Sequence, residues 1–377
     1  MLNISKGGTV MWRNKKDQKN DSRQPKLKKL NHQTLAEGLT LTTYKQTGWV
    51  PQRMYCLTVD LSIPERSVTV DCPESISTVD YVKKHPDTLA AINSSFFHLA
   101  SEALMYTHIL ADQTYLPGYF NPNYQATYVN RPYGLIIGEK DAGIDVLTEQ
   151  FVLETPKRFT IAINVYDQNT VIYRSNKELT QHPPKEGFTG VLLHLDKRDN
   201  VLNTPYKAKV KKIITTSDLP TFTLNKHECL ILLNNDQLDG LSIGEEVMYH
   251  YQTIPKFQEG MSFMMSGPLL MKNGKKQLEI AQSSDRRTVR APRSCVGLNA
   301  TGEKVSFIVV DGRQFPYSVG VSLDELVRLL QCLEIDTALN LDGGGSSQMA
   351  LREKAVRLVN RPSVSELRKL RSMLIIK

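Results

Sequence analysis

The sequence has few cysteines and no long apolar run, and both absences exclude classes of protein. The five cysteines are odd in number and scattered, without the paired spacing of a zinc site or a disulfide framework. No apolar segment reaches the ~18 residues of a transmembrane helix, and no apolar stretch of ~7–15 residues follows the N-terminal positive charges. We therefore expect no membrane insertion, no signal peptide, and a cytoplasmic location by default, or else release by lysis or attachment to a particle.

The usual catalytic and cofactor motifs are also absent. The eight histidines show no HExxH or similar metal-ligand spacing, and the chain has no GxSxG elbow, Walker loop or strand-linked GxGxxG fingerprint. These absences count against a serine hydrolase, a nucleotidase and a dehydrogenase. We expect no required cofactor. A divalent ion such as Ca²⁺, held by carboxylates and carbonyl groups, stays an alternative without assigned ligands, since no EF-hand-like loop is present.

Positive charge is concentrated at the N-terminus. Residues 1–31 contain nine Lys or Arg and two Asp, a net +7 of the chain's formal +8. This stretch is poor in apolar residues, so packing cannot offset the entropy of ordering it. We predict a disordered basic arm over residues 1–34, which is either a solvated tail or an arm that attracts a polyanion.

Strand and turn patterns predict a mixed architecture. Strands are favoured at Met54–Ile63, at Ser67–Asp71, which we expect to pair with the first, and at Thr88–Ile92. A helix is predicted over Ser77–His85, and residues 98–131 form a candidate functional loop. The region of about 150–255 carries short β-like runs at Phe159–Val165, Gly190–Leu195, Glu228–Leu233 and Glu246–Tyr251. The predicted class is α+β (mixed α/β): a mixed β-sheet with flanking helices, these β-rich middle segments and a C-terminal βαβ unit.

The C-terminal unit has the clearest succession of elements. Lys304–Val310 is an apolar run typical of a strand buried on both faces, and it ends at Asp311. Ser322–Glu325 matches a capping box that opens an amphipathic helix, and Thr337–Leu341 gives a second strand that ends at Asp342. The two strands of a βαβ unit are parallel, so both aspartates should emerge at the sheet edge where open α/β sheets bind ligands.

A glycine-rich turn follows Asp342 directly. Three consecutive glycines are costly in backbone entropy, so Gly343, Gly344 and Gly345 indicate positive φ or a ligand close to the backbone. Together with Ser346, their N–H groups could cradle an anionic oxygen. The alternatives are a tight hairpin turn or a flexible linker, and the position between Asp342 and an apolar strand argues against the linker.

Arginine and asparagine side chains complete the candidate site. Arg290, Arg293 and Arg313 lie close in sequence to these elements, and arginine is suited to gripping phosphate with two hydrogen bonds. Each is at least as well explained as a partner in a structural ion pair. Asn93, at a strand end, can donate and accept hydrogen bonds in a polar cleft, or it can simply fix a turn.

Six short motifs, in order along the chain, carry a resemblance to a known family. They are Ala91-Ile92-Asn93 with Phe96-Phe97, Ser266-Gly267-Pro268-Leu269-Leu270, Pro292-Arg293-Ser294, Val310-Asp311-Gly312-Arg313, Asn340-Leu341-Asp342-Gly343-Gly344-Gly345-Ser346-Ser347 and Val359-Asn360-Arg361-Pro362-Ser363. Together they resemble the phosphodiester glycosidase family, although Ser94-Ser95 stands where the family usually has two glycines. The resemblance covers roughly residues 35–377, which we therefore treat as one catalytic domain.

The resemblance implies hydrolysis at the anomeric carbon of a sugar whose leaving group is a phosphate diester. Asp342 and Asp311 would be the catalytic base or nucleophile, with the division of labour between them open. The implied binding residues are Asn93, Arg293, Arg313, Gly343, Gly344, Gly345 and Ser346. Phosphate is a good leaving group, so gripping the phosphate matters more than strong acid assistance.

Three functions fit these observations. The first is a glycoside hydrolase acting on sugar-1-phosphate diesters, in a phosphate-linked bacterial surface or wall glycan such as a teichoic acid, and the basic arm would suit that polyanion. The second is a non-catalytic glycan-binding protein on the same scaffold, for instance in a phage particle. The third makes the arm a tether for nucleic acid, which is not our expected partner. Both aspartates and the arginines are present, which favours the hydrolase.

Overall fold

A computed structural model of the chain describes residues 27–46, 50–100, 102–118, 133–155, 159–162, 171–174, 188–196, 201–215, 222–233, 238, 241–280 and 285–377. We number its strands β1 to β25 and its helices α1 to α3 in chain order. Of the described residues, 49% lie in strands and 7% in helices. Every pairing between the described strands is antiparallel.

This composition shows that the predicted α+β class with flanking helices is wrong. The fold is β-rich, and the described helices are α1 (Thr78–Lys84), the single turn α2 (Asp285–Thr288) and α3 (Leu323–Gln331). Most apolar strand faces are covered by other sheets instead of helices, which is the packing of a sandwich.

The largest sheet has eight strands. They are β1 (Leu27–Ala36), β2 (Leu39–Gln46), β3 (Gln52–Asp60), β18 (Leu269–Lys272), β19 (Lys275–Lys276), β20 (Arg293–Leu298), β21 (Lys304–Val310) and β22 (Thr337–Asn340). Their order is β1-β2-β3-β21-β20-β22-β18-β19. Residues 27–34, which we assigned to the disordered arm, therefore belong to an edge strand, and the arm boundary at residue 34 is wrong. Residues 1–26 lie outside the described part of the chain.

A seven-stranded sheet contains the middle region. Its strands are β10 (Thr148–Glu154), β11 (Phe159–Ala162), β12 (Val171–Tyr173), β13 (Thr189–Leu195), β14 (Tyr206–Thr215), β15 (Glu228–Leu233) and β16 (Glu246–Ile254), in the order β11-β10-β16-β14-β13-β15-β12. The four β-like runs predicted from the sequence coincide with β11, β13, β15 and β16, although residues 163–165 of the first run are not described.

Two five-stranded sheets complete the fold. One contains β6 (His108–Ile109), β7 (Tyr115–Leu116), β8 (Tyr133–Ile137), β9 (Ala142–Val146) and β17 (Ser262–Ser266), in the order β7-β6-β17-β8-β9. The other contains β4 (Val68–Asp71), β5 (Ala90–Asn93), β23 (Met349–Arg352), β24 (Val356–Leu358) and β25 (Met373–Ile376), in the order β24-β23-β5-β25-β4. The expected pairing of β4 with β3 is wrong, because β4 pairs with the distant β25. The candidate loop contributes β6 and β7, and its residues 119–131 are not described.

Strand β21 shows how the sequence forms the core. Successive side chains of a strand point to opposite faces. Val305, Phe307 and Val309 pack toward the five-stranded sheets, whereas Ile308 and Val310 pack in the cluster that contains α3. The apolar run is therefore covered on both faces, as predicted.

The edge at which β21 and β22 end organises the candidate site. Both strands pair antiparallel with β20, which lies between them, so they run in the same direction. The predicted βαβ unit is thus corrected, because its two strands are not neighbours. Helix α3, which connects them along the chain, has the predicted capping box between Ser322 and Glu325. Asp311 and Asp342 leave the sheet at the same edge, where β20 begins with Arg293.

We expect Gly320→Ala to lower the free energy of unfolding by at least about 2 kcal/mol, because an alanine there would combine backbone strain with a clash. Gly320 has φ +87°, and an added Cβ would lie 2.4 Å from the carbonyl oxygen of Ala291. Urea titration of the purified variant measures the change. Gly143→Ala is the matched control, since nothing lies within 4 Å of its added Cβ, and it should stay within about 0.5 kcal/mol of the wild type. Equal stability of the two variants would contradict the clash.

Candidate active site

The carboxylate of Asp311 is buried at the end of β21. It is 1% exposed. It accepts hydrogen bonds from Asn360 Nδ2 at 3.0 Å, from the backbone N–H of Arg361 at 3.0 and 3.1 Å, and from the hydroxyl of Tyr317 at 3.0 Å. Burial raises the pKa of Asp311, and these donors counteract part of the rise. Asp311 therefore holds together the loops that follow β21 and β24.

Tyr317 connects this carboxylate to two arginines. Its hydroxyl donates to Asp311 and lies 2.7 Å from the hydroxyl of Tyr55. The guanidinium carbons of Arg53 and Arg361 lie 5.5 and 5.3 Å from the centroid of the Tyr317 ring, within the range of a cation–π contact. A positive surface therefore lies beside the buried carboxylate.

Asp342 lies at the same edge and is only partly buried. Its backbone N–H donates to the carbonyl of Ser94 at 2.8 Å, and its Oδ1 accepts the N–H of Gly343 at 2.8 Å. The backbone and one carboxylate oxygen are thus held in place. Asp342 is accordingly the more accessible of the two predicted catalytic aspartates.

The glycine-rich turn forms a short 3-10 helix over Gly344–Ser346. Gly344 has φ +63°, a left-handed conformation that favours glycine. The N–H groups of Gly343, Gly344 and Ser346 donate to Asp342 Oδ1, the Pro292 carbonyl and the Gly343 carbonyl, respectively. Of the four N–H groups proposed as an anion cradle, at most that of Gly345 remains for a ligand.

Two guanidinium groups approach this turn from different loops. The exposed Arg313 places Nη1 and Nη2 at 3.4 and 3.5 Å from the position that a Cβ would take on Gly344. Arg368 donates from Nη1 to Ser346 Oγ at 3.1 Å, and its Nη2 lies 2.8 Å from the corresponding position on Gly345. Side chains at these glycines would crowd both cations, so glycine lets the guanidinium groups lie against the backbone.

Asn93 joins the two sheets that meet at the site. Its Nδ2 donates to the carbonyl of Asp342 at 2.6 Å, and its Oδ1 accepts from Ser294 Oγ at 2.8 Å and from the N–H of Gln348 at 3.1 Å. The residue is 1% exposed. The structure therefore shows Asn93 as an internal tie that positions Asp342.

The remaining predicted arginines are engaged with the protein. Arg293 is partly buried and donates to the carbonyls of Val321 at 3.2 Å and Val289 at 3.0 Å. Arg290 forms an ion pair with Glu325 at 2.5 Å, which is the structural alternative considered from the sequence. Arg313 is thus the predicted arginine that is most available to a ligand.

The two serines that replace the family's usual glycines point into the protein. Ser94 Oγ donates to Ser372 Oγ at 2.7 Å, and Ser95 Oγ donates to the carbonyl of Met265 at 2.6 Å. Both residues are buried. Because their hydroxyl groups are used internally, these serines add no hydroxyl to the mouth of the site.

Several residues that shape the site received no role from the sequence. Asn360 and Arg361 lie in the last of the six motifs, so a signal for them was present. Tyr317 and Arg368 lie outside every motif, and only the folded chain brings them to Asp311 and the glycine-rich turn.

Two further searches concern metals and membranes. In the described ranges, no group of three or more His, Cys, Asp or Glu side chains is arranged to hold a metal ion. No helix among these residues has the length and apolar character needed to cross a membrane.

Comparisons with known proteins agree with this arrangement. A family model described as phosphodiester glycosidase matches residues 160–377, which confirms the resemblance inferred from the motifs. No curated protein matches the chain.

Solved structures share the fold. A hypothetical protein from Synechocystis has a TM-score of 0.64 at 19% identity and covers 93% of this chain, which spans 64% of that protein. A putative exported protein from Burkholderia pseudomallei has a TM-score of 0.54 at 18% identity, covering 86% of this chain and 74% of its own. The zebrafish N-acetylglucosamine-1-phosphodiester alpha-N-acetylglucosaminidase catalytic domain, auto-inhibited by its pro-peptide, has a TM-score of 0.46 at 13% identity, with coverages of 94% and 88%.

We expect Asn93→Asp to destabilise the protein although it conserves size. The substitution replaces a donor with an acceptor 2.6 Å from the carbonyl of Asp342. A lost hydrogen bond between buried groups costs about 1–3 kcal/mol. Chemical denaturation measures the loss. Asn299→Asp, in an exposed turn, is the control and should change stability by about 0.5 kcal/mol or less. If both variants are equally stable, the tie at Asn93 is not important for folding.

The raised pKa of Asp311 predicts a pH-dependent difference between the wild type and Asp311→Asn. Folding raises this pKa above its unfolded value, so the folded state retains a proton that the unfolded state has lost. The free energy of unfolding of the wild type should therefore increase, relative to the variant, as the pH falls from about 7 toward about 4. Denaturation curves at several pH values give the difference. A difference that shrinks as the pH falls would mean that the pKa is lowered.

Proposed function

Because the chain belongs to the phosphodiester glycosidase family, we propose that it hydrolyses the bond between the anomeric carbon of a sugar and a phosphate diester. The observation that carries the proposal is the arrangement at the sheet edge. The partly exposed carboxylate of Asp342 adjoins a glycine-rich turn against which the guanidinium groups of Arg313 and Arg368 lie. A carboxylate beside clustered guanidinium groups matches the two ends of a glycosyl phosphate bond.

Asp342 is the better candidate for the group that reacts with substrate. It would act as base or nucleophile: a water oxygen or its own carboxylate oxygen bonds to the anomeric carbon, and the carbon–oxygen bond to phosphate breaks. The electron pair leaves with the phosphate. Asp311 is 1% exposed, and its oxygens accept hydrogen bonds from three residues. We assign Asp311 a positioning role through Asn360 and Arg361.

Arg313 and Arg368 would stabilise the charge that develops on the departing phosphate. Arginine can offer paired N–H donors to phosphate oxygens. Gly344 and Gly345 lack side chains that would keep these guanidinium groups away from the turn. Gly345 could add its own N–H to this anion site, while Arg293 and Asn93 would act by holding the surrounding backbone.

The proposed substrate class is a phosphate-linked glycan. A bacterial wall or surface polymer such as a teichoic acid is the form that we would test first, and the net +7 charge of residues 1–31 supports it. Screening diesters of glucose-, galactose- and N-acetylglucosamine-1-phosphate for release of reducing sugar tests the reaction directly. No release from any diester or polymer would reject the hydrolase.

Asp342→Asn should lower kcat at least about 100-fold, because removing a general base or nucleophile commonly costs that much or more. Asp145→Asn is a matched control, since its Oδ1 also accepts the N–H of the following residue, at 2.9 Å compared with 2.8 Å for Asp342. The control should keep wild-type turnover, and thermal unfolding verifies that both variants fold. Wild-type kcat in Asp342→Asn would exclude this residue from the reaction.

A further inference from the structure

The four arginines around the site, Arg53, Arg313, Arg361 and Arg368, have no carboxylate partner among the ion pairs of the described residues. Other arginines of the same region are neutralised locally. Arg287 pairs with Asp324 at 3.0 Å. The cations of the site are thus an exception within their own surroundings, and such a concentration of positive charge is suited to an anionic ligand.

The charge exceeds what one phosphate diester needs. Four guanidinium groups give +4, and Asp311 and Asp342 contribute at most −2, which leaves at least +2. A single phosphodiester contributes −1. Burial raises the pKa of Asp311, so its negative charge is, if anything, less complete. A ligand that balances the site would therefore carry a second phosphate.

The arginines also divide into two groups in space. Arg313 and Arg368 lie against the glycine-rich turn, beside the residue that follows Asp342. Arg53 and Arg361 lie over the ring of Tyr317, beside Asp311. This division provides two anionic positions instead of one.

The second pair is held by the fold. The backbone N–H of Arg361 donates to Asp311, and the carbonyl of Arg361 accepts from Gln314 Nε2 at 2.8 Å. The backbone N–H of Arg53 donates to Ser318 Oγ at 3.0 Å. Both arginines are therefore fixed at the backbone, and their contacts with Tyr317 restrict the side chains, so a ligand meets cations that are already placed.

We propose that Arg53 and Arg361, with Tyr317 between the two loops, form a second phosphate site, and that the substrate is a glycan with phosphates on consecutive units. The inference rests on the proposed function and specifies its substrate. The diester being cleaved lies at Arg313 and Arg368, and the phosphate of the next unit lies at Arg53 and Arg361. A glycosyl phosphate with a neutral second group would use only the first position.

Two probes test the second site. The first is a methyl diester of glucose- or N-acetylglucosamine-1-phosphate, and the second is the same diester with glycerol phosphate in place of methyl. Equilibrium dissociation constants are measured by calorimetry for the wild type, Arg361→Gln, Arg53→Gln and the control Arg357→Gln. Arg357 is exposed and already paired with Glu353. Turnover of both probes is measured separately, and thermal unfolding verifies the fold of each variant.

We expect the wild type and Arg357→Gln to bind the two-phosphate probe at least about tenfold more tightly than the one-phosphate probe. The preference should fall toward one in Arg361→Gln, whose side chain is exposed, and in Arg53→Gln. Equal binding of both probes by the wild type, or an intact preference in both variants, would overturn the second site even if the methyl diester is hydrolysed. A preference lost in the two variants without turnover of either probe would support the second site and reject the hydrolase.

Discussion

A carboxylate taken out of water must receive hydrogen-bond donors, and meeting this requirement at Asp311 organises the edge of the sheet. The donors are a side-chain amide, a backbone N–H and a phenol from two separate loops. Supplying them brings Asn360 beside the carbonyl of Ser347, so the glycine-rich turn is joined to the same network. The loops that bear Arg313 and Arg361 are thus positioned by one buried charge.

Asn93 provides the complementary constraint between sheets. Its amide reaches the backbone at both ends of the segment that contains the glycine-rich turn, at Asp342 and at Gln348. The turn is therefore held at its entrance and exit while its middle is left to the two guanidinium groups. This arrangement separates rigidity, which comes from buried polar contacts, from charge, which is left exposed to solvent.

Local signals in the sequence predicted local features well. The apolar run before Asp311, the capping box at Ser322 and the helix behind Ser77 each depend on neighbouring residues, and each occurs in the structure. Strand pairing depends on residues far apart, so neither the pairing of β4 with β25 nor the insertion of β20 between β21 and β22 followed from local pattern. The fold class was wrong for the same reason: nothing in a strand's own sequence tells whether a sheet or a helix covers it. Arg368 was missed because no motif marks a residue whose role comes from a contact with Ser346.

The position of β25 has a consequence for how the protein reaches its native state. This strand, Met373–Ile376, is inserted between β5 and β4, and Met373 lies opposite Asn93. The residues that frame the site therefore come from opposite ends of the described chain, and β5 has an unpaired edge until the last strand docks. Folds dominated by such distant pairings close slowly, and an open edge in the meantime invites association with other chains. During synthesis, this edge is where we would expect a chaperone to be needed.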